Sequence, residues 1–537
     1  MVQDNWWQGA VIYQVYPRSL YDTNGDGIGD IAGIIEKMDY IASLGVDAIW
    51  VSPFFKSPMK DFGYDISDYR DIDPIFGTLK DFDDLIECAH SAGVKVIIDQ
   101  VLSHTSDQHA WFQESRQSRD NDKSDWYVWA DANEDGGPPN NWLSIFGGGA
   151  WQWEPRRGQY FLHNFLDSQP DLNYHNPDVQ QQMLEEVEFW LKRGVDGLRL
   201  DAINFCFHDA QLRDNPPKPP QERQGRGFSE DNPYAFQYHY YNNTQPENLA
   251  FLERLRQRLN RYPGAVALGE ISSEDSLATM AEYTEGDHRL HTAYSFELLV
   301  DDFSADYIRS TVETLERRME GGWPCWAVGN HDVARVMSRW GNGQHSEQLP
   351  KMINAMLGSL RGAVCSYQGE ELGLPEAEIP FEQLQDPYGI AFWPNFKGRD
   401  GCRTPLPWQS GETNGGFGTT APWLPVPQSH REIAVDVQDS QPDSTLNHYR
   451  QFQRWRKQQI ALRLGDIEFM DSADNVLMFL RRHPEQQVLA CFNFNNSAIR
   501  VELPAAVKSM TGHGGYELTV ENAGVQLPPF GIFFGTL

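Results

Sequence analysis

The chain has 537 residues, of which 40% are hydrophobic and 12% aromatic, so it is too long for one ordinary core and should contain a large domain with smaller ones attached. The formal net charge of −32 argues against nucleic acid as a partner, because binding phosphates requires clustered Lys and Arg. No stretch resembles a secretory signal or an apolar membrane span, which predicts a cytoplasmic protein without a membrane partner.

Eight short apolar segments are predicted to be β-strands. Most are followed, after a loop, by an amphipathic segment with the pattern of a helix, which is typical of a parallel sheet with helical crossovers. The predicted strands are 10–17, 46–54, 94–104, 195–203, 265–272, 291–299, 325–332 and 363–371. The predicted helices are 31–44, 78–92, 178–193, 246–260, 305–319, 347–360 and 446–463. Eight such units predict an α/β fold built on a (β/α)8 TIM barrel.

Two long intervals interrupt this pattern. About 70 residues rich in Gly, Pro, Asn and Trp lie between the third strand and the following helix, too many for a plain crossover. They predict an inserted, loop-rich domain. A second insertion, about 372–445, follows the eighth strand, and strand patterns after the last helix predict a C-terminal antiparallel β domain. The predicted domains are the barrel (1–103 and 173–464), the inserted domain B (104–172) and the C-terminal domain C (465–537).

Polar residues stand at the ends of four predicted barrel strands. The active site of such a barrel lies at the C-terminal ends of its strands, so these side chains should converge although they are distant in sequence. The residues are Asp99, His104, Arg199, Asp201, Glu270, Asn330, His331 and Asp332.

Facing carboxylates repel each other and separate their pKa values, which suits glycoside hydrolysis by one ionised and one protonated acid. Asp201 is the predicted nucleophile because Arg199, two positions away on the same strand face, favours its ionised form. Glu270, between apolar neighbours, is the predicted acid, and Asp332 could hold a distorted sugar ring. An isolated Arg/Asp pair is more often structural; the convergence of four strand ends favours catalysis.

The motifs "DQVLSH", "GLRLDAIN", "GEIS" and "GNHD" resemble those of glycoside hydrolase family 13, the α-amylase family, in order and spacing. The similarity extends over essentially the whole chain. The "QPDLN" element at 169–173 resembles the α-glucosidase and oligo-1,6-glucosidase branch. This resemblance implies that Asp201 is the nucleophile, Glu270 the general acid/base and Asp332 the transition-state stabiliser.

The resemblance also implies a pocket for the terminal glucose of a short substrate. Asp61, paired with Arg399, and Tyr64 would close its far end and favour exo-action. Phe165 would form an aromatic wall, although ordinary core packing explains it equally well. The implied substrate-binding residues are Asp61, Tyr64, His104, Phe165, Arg199, His331 and Arg399.

The segment "DTNGDGIGD" at 22–30 alternates oxygen-bearing side chains with glycines, as calcium loops do. It resembles the loop that holds a structural Ca2+ or Mg2+ in this branch of the family. An Asp/Gly-rich turn without metal is the alternative. No organic cofactor is expected. The predicted metal ligands are Asp22, Asn24, Asp26, the carbonyl of Ile28, and Asp30.

The residue after the predicted nucleophile is Ala202, where similar enzymes usually have Val if they prefer α-1,6 links and Thr if they prefer α-1,4 links. Its small side chain predicts a permissive acceptor site. The predicted function is a retaining, exo-acting α-glucosidase that acts on maltose-type substrates and sucrose and also transfers glucose to hydroxyl acceptors. The alternatives are a sucrose-directed hydrolase or isomerase, or an oligo-1,6-glucosidase. A non-catalytic binding barrel is disfavoured because all three acids are retained.

Overall fold

Eight parallel strands form the central sheet of the computed structural model, which describes residues 5–223, 231–341, 346–504 and 506–537. The strands are β1 (Val11–Val15), β2 (Ala48–Val51), β3 (Lys95–Val101), β4 (Gly197–Asp201), β5 (Val266–Ile271), β6 (Thr292–Ser295), β7 (Cys325–Trp326) and β8 (Ala363–Tyr367). Neighbours in this order are paired in parallel from β1 to β6, and β8 is paired with both β7 and β1. A bridge from Ala293 to Pro324 links β6 to the start of β7 and closes the predicted barrel. Residues 1–4, which begin the predicted catalytic domain, lie outside the described residues.

Helices cover the outside of the barrel. The crossover helices are Ile31–Glu36, Met38–Ser43, Leu79–Ser91, Pro177–Lys192, Glu247–Leu259, Ser276–Tyr283, Ala305–Arg318, Gln348–Ser359 and Thr445–Lys457. Local sequence explains where several of them begin. Thr78 and Asp81 form a reciprocal capping box at the start of Leu79–Ser91, and Asn176 caps Pro177–Lys192. The segment predicted as one helix over 31–44 is instead divided at Lys37 into two short helices.

Alternate residues of the barrel strands belong to two different hydrophobic cores, one inside the barrel and one between the barrel and the helices. On β2, Ala48 and Trp50 pack inside the barrel with Ile12 and other inward-facing residues. Ile49 and Val51 face outward and pack under the helices. This alternation follows from the two-residue period of a strand, and it places Trp50 directly below the mouth of the barrel, next to Arg199.

An excursion leaves the barrel after β3 and returns beside its point of departure. Bridges between His104 and Asp171 and between Tyr127 and Leu172 join its two ends. It contains the helix Ala110–Ser115 and a three-stranded sheet of Trp129–Ala130, Gln159–Leu162 and Trp151–Glu154. Because both ends are attached at the barrel mouth, the excursion can form one wall of a site there. We retain 104–172 as the proposed bounds of domain B.

The segment after β8 is mostly irregular, with the short helices Pro387–Phe392, Gln428–Arg431 and Val435–Asp439. After the last helix, Ile460–Leu464, a five-stranded antiparallel sheet follows, as predicted. Its strands, in spatial order, are Asp466–Met470, Val476–His483, Gln486–Asn493, Ile532–Thr536 and Lys508–Ser509. Ile499–Glu502 pairs separately with Gly524–Leu527.

The remaining regular elements are short. They are the strand pair Phe55–Lys56 and Asp68–Ile72, the helix Val336–Gly341, and the 3-10 helices Pro17–Ser19, Ile203–Phe205, Pro220–Glu222, Pro233–Phe236, Phe296–Leu298, Glu370–Leu372, Phe381–Gln383 and Asp400–Cys402. Within the described ranges, no helix has both the length and the apolar character that crossing a membrane requires.

Candidate active site

One buried arginine connects three carboxylates at the mouth of the barrel. Arg199 is fully buried on β4, and its Nη1 atom donates to Asp99 Oδ1 at 2.9 Å and to Asp201 Oδ1 at 2.7 Å. Its Nη2 atom forms an ion pair with Glu270 Oε1. The pairing of Asp99 with Arg199 on adjacent strands explains the first contact. The structure therefore brings Glu270 of β5 to Arg199 and Asp201 of β4, as the sequence analysis expected for residues at neighbouring strand ends.

The two predicted catalytic acids have similar electrostatic environments. Burial raises the pKa of Asp201 to about 7 and that of Glu270 to about 7, and Arg199 opposes the shift in both. Arg199 contacts both acids, so it does not assign the ionised role to Asp201 as the sequence argument assumed. With both pKa values near neutrality, one group can be ionised while the other holds a proton. A nucleophile and a general acid need this combination.

Three donors hold Glu270 in place. Besides Arg199, the Tyr294 hydroxyl donates to Oε1 at 2.9 Å, and the backbone N–H of Ala202 donates to Oε2 at 3.1 Å. Ala202 has φ 40° and ψ 46°, a left-handed conformation that is uncommon for residues other than glycine. This turn directs the amide that follows Asp201 toward Glu270. The backbone after one predicted catalytic acid thus orients the other.

Asp332 is surrounded by two arginines and a histidine. Its Oδ1 atom accepts from Arg399 Nη1 at 3.2 Å and from Arg403 Nη2 at 3.0 Å, and His331 Nε2 lies 3.2 Å from its Oδ2 atom. Burial alone would raise the pKa of Asp332, but His331 and the arginines outweigh burial and lower it well below its usual range. Asp332 is therefore ionised. Sequence analysis missed Arg403, although it stands in the same "GRDGCRTP" segment as Arg399.

An ion pair borders the pocket beside Asp332. Arg399 Nη2 lies 2.9 Å from Asp61 Oδ1, as the resemblance implied, and Gln169 donates to Asp61 Oδ2 at 3.0 Å. Tyr64 stacks on the His331 ring with their centroids 5.1 Å apart, and its hydroxyl donates to Asp99 Oδ2 at 3.0 Å. These contacts fix both predicted end residues without a ligand.

His104 and Phe165 lie together on the wall formed by the inserted domain. His104 Nε2 donates to the backbone carbonyl of Tyr64 at 3.0 Å, and burial lowers the pKa of His104 to about 4. The Phe165 ring lies 5.0 Å from the His104 ring and borders the pocket. Sequence analysis missed other residues that line the pocket, because they lie in loops and short helices where no pattern indicates which side chain faces the site. They are Ile145, Phe146, Phe205, Phe296 and Tyr388.

The predicted metal ligands lie on one tight loop before the helix Ile31–Glu36. Asp22 and Asp30 are buried, and Asp30 caps that helix by accepting from Gly33 N. Asp22, Asn24 and Asp26 each accept bonds from amides of the same loop. Across the described residues, no three His, Cys, Asp or Glu side chains are grouped closely enough to hold a metal ion. The chemistry of the donors fits a hard cation, but the loop is also satisfied by its own amides.

Comparisons with known proteins agree with this geometry. Residues 14–465 match the family described as alpha amylase, catalytic domain, and residues 467–534 match the maltogenic amylase C-terminal domain. The chain is 53% identical to a probable alpha-glucosidase of Rhizobium meliloti, over 99% of its own length and 97% of the relative's.

Two crystal structures show similar folds at similar length. The alpha-glucosyl transfer enzyme XgtA is 63% identical, with a TM-score of 0.98 over 99% of this chain and 100% of that one. A variant of MutB in complex with the substrate sucrose is 30% identical, with a TM-score of 0.89 over 99% of both chains. The chain described here belongs to the α-amylase family, glycoside hydrolase family 13.

Proposed function

We propose that the protein is a retaining, exo-acting α-glucosidase that cleaves terminal α-glucosyl residues from short oligosaccharides and also transfers them to hydroxyl acceptors. The observation that carries this proposal is the link from Asp201 through Arg199 to Glu270, in a pocket that Asp61 and Arg399 also border. Similarity to a probable alpha-glucosidase and to an alpha-glucosyl transfer enzyme supports both parts of the proposal.

In the first step the Asp201 carboxylate attacks the anomeric carbon and forms a C–O bond as the glycosidic C–O bond breaks. Glu270 gives its proton to the departing oxygen, which leaves as a neutral hydroxyl group. The transition state carries positive charge on the sugar ring. The ionised Asp332 can stabilise that charge because its arginine partners hold it in place.

In the second step Glu270, now ionised, removes a proton from water or from a sugar hydroxyl. The resulting oxygen nucleophile attacks the anomeric carbon and releases Asp201. A pKa near 7 suits a group that acts first as an acid and then as a base at neutral pH. Two displacements retain the α configuration, and the choice of acceptor decides between hydrolysis and transfer.

Exo-action follows from the closed end of the pocket. Asp61 and Arg399 are buried there, 4% and 6% exposed, and they remain polar groups that can bond the hydroxyls of one terminal glucose. Phe146 packs under the Arg399 guanidinium, 5.1 Å from it. A longer chain extending past the terminal glucose would collide with this wall, so attack inside a polysaccharide is disfavoured.

Sucrose is the second candidate donor, because the chain is similar over its whole length to a MutB variant that binds sucrose as substrate. The same two steps apply, with fructose as the leaving group. An isomerase would return the glucosyl group to another hydroxyl of that fructose before water intervenes. Ala202 borders the pocket together with Glu270, and we infer that its small side chain leaves space there for the leaving group.

We also infer that the loop 22–30 holds a structural Ca2+ or Mg2+, with Asp22, Asn24, Asp26, Asp30 and the Ile28 carbonyl as ligands. Such an ion would neutralise three carboxylates on one short loop and fasten the connection after β1. No catalytic residue lies on this loop, so the ion would act on stability and not on the reaction.

Proton NMR of maltose during the first minutes of reaction tests the proposal. Early release of α-glucose, together with new glucosyl linkages, is expected. Early β-glucose would show inversion and overturn Asp201 as the nucleophile. A parallel incubation with sucrose separates the donors: free fructose indicates hydrolysis, whereas a new glucosyl-fructose without free sugars indicates isomerisation.

A further inference from the structure

A buried glutamine contacts the histidine beside Asp332. Gln14 lies on β1, is 1% exposed, and its Nε2 atom is 2.8 Å from His331 Nδ1. The same Nε2 atom lies 3.1 Å from Ser52 Oγ at the end of β2. Gln14 does not line the pocket, and of its two side-chain partners only His331 contacts a proposed catalytic acid.

The surroundings of Nε2, the other ring nitrogen of His331, decide which of the two nitrogens carries the proton. Nε2 is buried and lies 3.2 Å from Asp332 Oδ2, although the two atoms are not aligned for a hydrogen bond. Asp332 is ionised, because Arg399 and Arg403 contact its Oδ1 atom. An unprotonated Nε2 would place its lone pair close to a negatively charged oxygen, which is repulsive. The proton therefore belongs on Nε2, next to the carboxylate.

The surroundings of His331 favour the neutral ring. Burial, together with the positive charges of Arg403, Arg199 and Arg399, lowers its pKa well below its usual range, although Asp332 opposes this shift. The other groups against the ring are uncharged: Tyr16 and Tyr64 stack on it, and the edge of Trp50 meets it. A neutral imidazole has one proton, so Nδ1 must accept a hydrogen bond when Nε2 is protonated.

We propose that Gln14 is a positioning residue that holds His331 as the Nε2–H tautomer by donating its amide N–H to Nδ1. This inference depends on the proposed function for its kinetic consequence, because His331 would then present a donor to Asp332 and to a glucose hydroxyl bound beside it. Ser52 helps to orient the amide through its contact with the same Nε2 atom.

The amide is suited to this role because it donates without carrying charge. A glutamate at position 14 would be isosteric, but its carboxylate would accept a hydrogen bond from a protonated Nδ1 and would favour the imidazolium form. That cation would neutralise Asp332 and weaken its attraction for the positive charge of the transition state. A methionine at position 14 would fill a similar volume but would leave Nδ1 without a donor.

Joint neutron and X-ray crystallography of the deuterium-exchanged wild-type protein tests the tautomer directly, whatever the substrate. We expect deuterium on His331 Nε2 and the ND2 group of Gln14 facing Nδ1. Deuterium on Nδ1, or a reversed Gln14 amide, would overturn the proposal while leaving the glucosidase assignment intact. Absence of glucosidase activity with the expected tautomer would instead count against the proposed function.

Kinetics of three variants test the consequence. Gln14→Met should lower kcat/KM for maltose roughly tenfold, the scale of one lost hydrogen bond. Gln14→Glu should move the acidic limb of the pH profile of kcat to higher pH, because His331 becomes protonated more readily. Gln100→Met is the matched control, since Gln100 is equally buried in the barrel but its side chain bonds to nothing among the described residues. An unmoved acidic limb in a folded Gln14→Glu variant would contradict the proposal.

Discussion

Arg399 Nη2 lies 2.9 Å from Asp61 Oδ1, although 338 residues separate the two in sequence. Asp61 follows β2, whereas Arg399 belongs to the long segment after β8, so this ion pair joins two distant parts of the barrel mouth. Arg399 also pairs with Asp386 and with Asp332. One guanidinium therefore connects the closed end of the pocket to the acid proposed to stabilise the transition state.

Asp61→Asn keeps the shape of this side chain but removes its charge. Because hydrogen bonds to charged groups contribute about 1.5–3 kcal/mol, kcat/KM for maltose should fall roughly ten- to a hundredfold, with most of the change in KM. Steady-state kinetics check this. Asp84→Asn is the control: it alters an exposed pair with Lys80 and should have almost no effect. An unchanged KM for the Asp61 variant would show that this end of the pocket does not bind sugar.

Asp201→Ala and Glu270→Gln should each lower kcat for maltose by a factor of about a thousand or more, because each removes a group that forms or breaks a bond. A substrate with a good leaving group distinguishes their roles. With 4-nitrophenyl α-glucoside, whose leaving group needs no proton, Glu270→Gln should still release a rapid burst of 4-nitrophenol, whereas Asp201→Ala should not. A burst from Asp201→Ala, or none from Glu270→Gln, would reverse or refute the assignment.

The pH dependence of kcat/KM should be bell-shaped with its maximum near neutrality. Burial raises the pKa of Asp201 and of Glu270 to about 7 each. Below this range the nucleophile becomes protonated, and above it the acid loses its proton, so activity should fall on both sides. The Asp332 carboxylate, whose pKa is lowered, stays ionised throughout. A profile that is flat from pH 5 to pH 9 would contradict these shifts.

Sequence patterns predicted the eight strands because each strand buries both faces and is an apolar run. All eight observed strands are shorter than predicted, the seventh most of all: 325–332 was predicted, but only Cys325–Trp326 is strand, because the chain then turns to carry Asn330, His331 and Asp332 to the mouth. The helix Ser276–Tyr283 was not predicted. It buries six of its eight residues, so it lacks the polar face that identifies an amphipathic helix.

The candidate site was predictable where it depends on strand ends and motifs, as for Asp201 and Glu270. The sharing of Arg199 between these two acids was not predictable, since it depends on how far one side chain reaches. Phe146 and Tyr388 come from the two insertions, where no periodic pattern indicates which aromatic residue faces the pocket. Gln14 resembles an ordinary strand residue in sequence, and only its contact with His331 reveals it.

Glu370→Gln should stabilise the protein at high pH. Burial raises the pKa of Glu370 to about 8 from a usual 4.5, and its Oε1 atom has no hydrogen-bond partner among the described residues. A carboxyl whose pKa is higher in the folded state stabilises the fold most at low pH, and this contribution is lost as the pH rises from 4.5 to about 8. Glutamine resembles the protonated acid and does not ionise.

Thermal unfolding of wild type and variant from pH 5 to pH 9 measures this effect. The variant should have the higher melting temperature above pH 7, and the difference should disappear near pH 5. Glu485→Gln, at an exposed position, is the control and should change little. A difference that is independent of pH would mean that Glu370 does not titrate in this range.

Asp26→Ala should affect stability and not turnover. Asp26 is an exposed member of the loop 22–30 and does not line the pocket at the barrel mouth. If the loop binds Ca2+ or Mg2+, the metal stabilises the folded state by mass action, so adding it should raise the melting temperature of the wild type and a chelator should lower it. The variant should respond weakly to either ion, whereas Asp120→Ala, another exposed acid, should respond like the wild type. If neither metal nor chelator changes the wild-type melting temperature, the loop is a metal-free turn. If the variant keeps its stability but loses turnover, the loop does not have a purely structural role.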